Sequence, residues 1–146
     1  MREAAARHPD LALSVHVGQA QTVIAAADAV LTASGTATLE TMLVNRPMVV
    51  AYRVAWLTWA ILRRLVRVPR VSIVNVLAGQ ALVPEFLQDA MIPEAMGTAL
   101  LPWLRGERPD PGLEAAFDAL RASLSGDADG RAAQAVLRVA GREVAR

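Results

Sequence analysis

The chain has 146 residues, enough for one domain of ordinary size with a substantial core. Its hydrophobic content of 54 % exceeds the roughly 45–50 % of average soluble chains, and a formal net charge of only +1 supplies no global field for nucleic acid. There is no cysteine, which excludes disulfides and thiolate metal sites, and all 15 basic residues are arginine.

Taken in chain order, Arg2 to His8 reads as the end of a helix stopped near Pro9, without a clear start. The stretch Met1 to His8 is polar and alanine-rich, so it is no signal peptide. No acid-free apolar run reaches the ~18 consecutive apolar residues of a membrane span. A cytoplasmic chain is therefore expected. Ala12 to Val17 reads as a strand, Gln19 to Ala27 as a short helix, and Ala29 to Thr32 as a short apolar strand. Thr36 to Asn45 reads as a helix that Pro47 prevents from continuing. The apolar run Met48 to Tyr52 is typical of a buried parallel strand. A helix is expected over Trp56 to Val68, ended by Pro69, and a short strand over Val71 to Val74. Helices follow at Pro93 to Leu104, Leu113 to Leu124 and Arg131 to Val144, with a Gly- and Pro-rich loop at Arg105 to Gly112. Strands alternating with helices predict an α/β fold: a Rossmann-like parallel sheet with helices on both faces. The expected layout is an α/β core over 1–104, the loop over 105–112 and a helical tail over 113–146.

Three features carry chemistry. The first is ADAVLTASGTATLE, Ala27 to Glu40, where a strand gives way to a helix at Ser34-Gly35-Thr36. Free N–H groups and the helix dipole attract anions at such a point, and Gly35 lets a phosphate approach the backbone. Glu40 lies one turn deeper on the same face, where a carboxylate can accept hydrogen bonds from a ribose diol. Phosphates at the tip and a sugar beside the first turn describe a nucleotide diphosphate; a plain capped helix explains the same residues. The second is a stretch from Thr41 to Pro84 without a single acid. In the helix expected there, Trp56, Trp59, Arg63, Arg64 and Arg67 share one side and Leu57, Ile61, Leu62, Leu65 and Val66 take the other. Tryptophan bodies with guanidinium heads suit a lipid headgroup boundary, and a solvated basic face is the alternative. The third is Asn75 to Gly79 followed by Pro84 to Gln88. Asn75, Glu85 and Gln88 can hydrogen-bond sugar hydroxyls, and Asn75 follows a predicted strand, where side chains reach the crevice at the carboxyl edge of a sheet; turn chemistry and helix capping are the alternative. Met42, Met48, Met91 and Met96 read as core filler.

Together ADAVLTASGTATLETML, PMVVAYRV, LRRLVRV, VSIVNVLAG, LVPEFLQ and ALLPWL resemble the lipid-A-disaccharide synthases in order and spacing, from about Val17 to Leu104. The SGTATLE element alone occurs in many two-domain glycosyltransferases; PMVVAYR to NVLAG to VPEFLQ is more specific. The resemblance implies part of the carboxyl-terminal, donor-binding domain of a two-domain (GT-B type) glycosyltransferase. Its activity would be inverting transfer from UDP-2,3-diacylglucosamine to 2,3-diacylglucosamine 1-phosphate at an anionic membrane surface, with no metal and no cofactor. By resemblance Ser34, Gly35 and Thr36 hold the diphosphate and Glu40 the ribose. Asn75 is the polar residue of the donor site, with Glu85 and Gln88 at further family positions and Arg53 as a phosphate or headgroup contact. A homodimer is a candidate assembly.

Ala51 stands where the family has glycine, and Val74 where it has proline. The family's earlier Gly-Ser-Arg phosphate loop and its amino-terminal domain, which is expected to supply the acceptor site and general base, have no counterpart in the sequence, so the chain is expected to be a truncated and inactive part. A non-catalytic nucleotide-binding module, or another UDP-sugar glycosyltransferase or epimerase of this fold, also fits the residues.

Overall fold

A computed structural model describes residues 9–56, 58–59 and 70–141. Helix α1 (Ala20–Ala26) leads into strand β1 (Val30–Ala33), helix α2 (Thr36–Leu43) and strand β2 (Met48–Tyr52). Helix α3 (Ile73–Ala78) and strand β3 (Glu85–Leu87) follow, with a 3-10 turn at Gln88–Ala90. Helices α4 (Pro93–Leu104), α5 (Leu113–Leu124) and α6 (Ala128–Val139) complete the described chain. Among the described residues the sheet has three parallel strands in the order β1-β2-β3. Val30 pairs with Met48 and Ala33 with Ala51, while Val50 pairs with Glu85 and Tyr52 with Leu87.

The central strand explains the apolar run. Side chains alternate across a strand. Met48 and Val50 join a cluster with Met42, Val74, Val83, Leu113 and Phe117. Val49 points to the opposite face and is also fully buried, so both faces of β2 are covered. The α/β reading with a covered parallel sheet therefore holds. Met42 and Met48 are core residues as expected; Met91 and Met96 are half-buried.

Helix α2 stops after Leu43 because Asn45 turns left-handed, with φ of 54°. Its N–H bonds to the Met42 carbonyl, and the Arg46 N–H bonds to the Thr41 carbonyl. That pair of bonds closes a helix end, and asparagine tolerates the conformation better than most side chains. The Asn45 amide also donates to Asp118 on α5 at 3.0 Å.

Two expected strands are absent from these positions. Residues 12–17 are irregular, with Leu13, Val15 and Val17 exposed. Alternation makes a strand only where a neighbour completes its hydrogen-bond ladder, and among the described residues none pairs with this segment. Val71 to Val74 is not a strand either: Ser72 is the N-cap residue of α3, and Gly79, with φ of 66°, ends that helix. The β-branched residues there favour a strand by propensity, but tertiary contacts override it. The last helix begins three residues earlier than expected, where the Asp127 carboxylate accepts the Gly130 N–H at 2.8 Å. That helix also ends earlier, at Val139 rather than Val144: Ala140 is its C-cap residue and Gly141 turns left-handed, with φ of 69°. The segment Arg2 to His8 lies outside the described residues.

The first tail helix belongs to the core. Leu113 and Phe117 of α5 are buried in the main cluster, and α5 packs against α2. By contrast α6 leaves Val136 and Val139 exposed.

Candidate functional site

Because the strands are parallel, their carboxyl ends share one edge. Ser34-Gly35-Thr36 follows β1, Arg53 follows β2 and Gln88 follows β3. Ligands of open parallel sheets bind outside this edge. At the β1 end of this edge is the amino end of α2. Gly35 is the N-cap residue, with φ of 151° and ψ of −162°, a region essentially restricted to glycine. No side chain caps the helix, so its first N–H groups remain open toward the edge. Thr36 is exposed there. The loop is held from behind by Thr38, a fully buried residue whose hydroxyl and N–H both donate to the Gly35 carbonyl, at 2.7 and 3.1 Å. Glu40 is half-buried one turn along, and among the described residues no donor is bonded to its carboxylate.

The Ser34 hydroxyl points elsewhere than an open phosphate donor would. It donates to the Val71 carbonyl at 2.8 Å, so its proton is already committed. Thr36 and the main-chain N–H groups are left as the donors of the turn.

Asn75 does not follow a strand and does not project into the crevice. It lies on α3 and is 1 % exposed. Its amide nitrogen donates to the Val83 carbonyl at 2.8 Å and to Glu85 Oε1 at 2.6 Å. Its amide oxygen accepts the N–H groups of Leu82 and Val83 at 2.8 and 2.9 Å. This is the full hydrogen-bonding capacity of an asparagine side chain. Glu85 is likewise engaged: Oε2 accepts the Val71 N–H at 2.8 Å and Oε1 the Ser72 N–H at 3.1 Å. The carboxylate thus accepts three hydrogen bonds, two of them from the main-chain N–H groups that lead into α3 and one from the Asn75 amide. Asn75 and Glu85 thus form a brace behind the edge.

Arg53 and Gln88 meet on the edge itself. Arg53 Nη2 donates to the Gln88 carbonyl at 2.9 Å. Gln88 has a φ of 52°, so this bond helps hold a backbone conformation that glutamine rarely adopts.

The structure therefore joins Ser34, Asn75 and Glu85 through the Val71–Ser72 segment and pairs Arg53 with Gln88, while Thr36 and Glu40 stand on α2. Thr38 and Val71 are additions. Val71 contributes only main-chain groups, which no residue identity reveals. The spacing of Thr38, three residues after Gly35, was the available signal. Ser72 is buried too, and among the described residues its hydroxyl has no partner.

Of the expected membrane-facing residues, Trp56 is 78 % exposed and Trp59 half-buried. The Trp59 N–H bonds to the Ala55 carbonyl at 3.0 Å, a helical bond. Arg63, Arg64 and Arg67 lie outside the described residues. Among the described residues no helix is long and apolar enough to cross a membrane.

The family model for lipid-A-disaccharide synthetase matches residues 2–136, which takes in every candidate residue from Ser34 to Gln88. The chain belongs to the lipid-A-disaccharide synthetase family. It is 54 % identical over 130 residues to the lipid-A-disaccharide synthase of Alkalilimnicola ehrlichii, covering 89 % of this chain and 34 % of that protein. It is 50 % identical over 134 residues to the synthase of Pseudomonas aeruginosa, covering 90 % of the chain and 34 % of the relative. The synthase of Azotobacter vinelandii is 51 % identical over 135 residues, at 91 % and 34 %. The chain thus spans about a third of the length of these family members. Within the lipid-A-disaccharide synthetase family, it corresponds to a portion containing the parallel sheet, its carboxyl edge and the brace beneath it.

Proposed function

We propose that the chain is the donor-nucleotide-binding part of a lipid-A-disaccharide synthase, an inverting glycosyltransferase. The proposed reaction transfers 2,3-diacylglucosamine from its UDP donor to 2,3-diacylglucosamine 1-phosphate, releasing UDP and forming a β-1,6-linked disaccharide. The observation that carries this reading is the uncapped amino end of α2, opened by Gly35 at the carboxyl edge of a parallel sheet, in a member of this family.

In this reading the N–H groups beyond Gly35 and the Thr36 hydroxyl hold the diphosphate. The helix dipole stabilises the negative charge that grows on the leaving UDP. Glu40 takes the ribose diol. Arg53, braced on Gln88, supplies positive charge beside the phosphates. Asn75 and Glu85 serve from beneath, and the general base comes from the acceptor domain of the complete enzyme.

Titration calorimetry of this chain with UDP tests the reading. UDP should bind, and Glu40→Ala should weaken it by about 1.5–3 kcal/mol, the worth of a hydrogen bond to a charged group. Equal affinity in the two proteins would remove Glu40 from the nucleotide site.

We place the transferase on the cytoplasmic face of an anionic membrane. Support comes from the exposed Trp56 and from the acid-free, arginine-rich stretch that follows it. Each arginine near such a surface contributes on the order of 1 kcal/mol, decaying over a Debye length. Replacing Arg63, Arg64 and Arg67 together by glutamine should weaken co-sedimentation with anionic vesicles by a few kcal/mol at most, on the same scale. Added salt should reproduce the loss. Unaltered sedimentation would identify the basic stretch as merely solvated.

A further inference from the structure

We infer that Glu85, held by Asn75, is a positioning residue for the turn Ser34–Thr36, acting through the two main-chain groups of Val71. The inference rests on the reading of that turn as the nucleotide site. Val71 is gripped twice. Glu85 Oε2 accepts its N–H at 2.8 Å, and its carbonyl accepts the Ser34 hydroxyl at 2.8 Å. Glu85 is fixed in turn by the Asn75 amide at 2.6 Å, and Asn75 is locked onto Leu82 and Val83. A line of hydrogen bonds thus runs from the chain entering β3, beneath the sheet edge, to the residue that precedes Gly35.

Its consequence for the site is geometric. With Val71 held, Ser34 has one hydroxyl direction, and its proton faces Val71 rather than a ligand. The backbone that leaves Ser34 enters Gly35 in a conformation available essentially only to glycine, so small rotations there redirect the N–H groups that follow. A turn fixed before the ligand arrives loses less freedom on binding. Glu85 accomplishes this as an acceptor only: all three groups around its carboxylate are donors. An amide in its place would present a donor to a donor.

The test is a double-substitution cycle on this chain, read by the Gly35 and Thr36 amide resonances and by UDP affinity. Glu85→Gln should move both resonances when Ser34 is present and leave them in place in the Ser34→Ala background. It should weaken UDP about five- to tenfold in the first background, the scale of one ordinary hydrogen bond, and less than about twofold in the second. Equal effects in the two backgrounds, or none in either, would overturn the relay. A general loss of folding would instead act alike in both. If Glu85→Gln does not fold, Glu85→Asp, which withdraws the carboxylate by one methylene, takes its place with the same expected pattern. If the unmodified chain does not bind UDP, the nucleotide reading falls, and the resonance cycle alone decides whether Glu85 positions the turn.

Discussion

Asn75→Ala is expected to destabilise the chain by about 3–4 kcal/mol and to lower its melting temperature by on the order of 10 °C. The side chain is buried, and both of its polar atoms are engaged twice. Alanine would leave the N–H and the carbonyl of Val83 without the amide that now satisfies them. Each buried main-chain group abandoned in this way costs about 1–3 kcal/mol. The Leu82 N–H is less affected, because it also reaches the Gln80 carbonyl at 3.2 Å. Glu85 would keep its two main-chain donors and lose the third. Thermal unfolding followed by circular dichroism gives the answer, with UDP calorimetry on the same variant below its melting point. A structural brace predicts a marked fall in melting temperature. Loss of UDP binding at an unchanged melting temperature would instead make Asn75 a direct donor-site residue.

Phe117→Ala is expected to cost about 3–5 kcal/mol, the usual range for deleting a buried phenyl ring. The ring is 1 % exposed and joins Met42 of α2, Met48 and Val50 of β2 and Val74 of α3 in a single cluster. It therefore connects the first tail helix to the central strand and two further helices. Its loss should shift the urea midpoint strongly without changing the slope of the transition. Val139→Ala provides the contrast. That residue is 92 % exposed on α6, so its replacement should stay within about 0.5 kcal/mol. Similar midpoints for the two variants would mean that α5 is not part of the cooperative unit.

The cost at Phe117 separates two helices whose sequences look alike in role. Both α5 and α6 follow the last strand, and both are amphipathic in pattern. Periodicity announces a face that can be covered, but not whether a partner lies against it. Leu113 and Phe117 meet the cluster; Val136 and Val139 are exposed.

Local grammar carried much of the remaining fold. The run Met48 to Tyr52 was legible because five successive residues without charge, following Pro47, suit a strand buried on both faces. Helix α4 was bounded by Pro93 and the glycine- and proline-rich segment after Leu104, and the structure places it between the same residues. The Ser34-Gly35-Thr36 turn was legible for a similar reason: a strand, a glycine and a helix start are neighbours in the chain. Strand pairing at Ala12 to Val17 was not decidable locally, since alternation specifies a face and no partner.

What the sequence determined by itself was the α/β class, the buried central strand and the glycine at the tip of α2. These depend on residues within a turn or two of one another. What tertiary structure decided was where the polar side chains direct their hydrogen bonds. Ser34 bonds to a residue 37 positions away, Glu85 to one 14 positions away and Asn75 to Val83 eight positions away. Side-chain type reveals that these residues can donate or accept. Only the packed chain determines which donors and acceptors are left without water and must find each other, and that is what engages Asn75 and Glu85 with each other and with the main chain of Val71, Ser72, Leu82 and Val83.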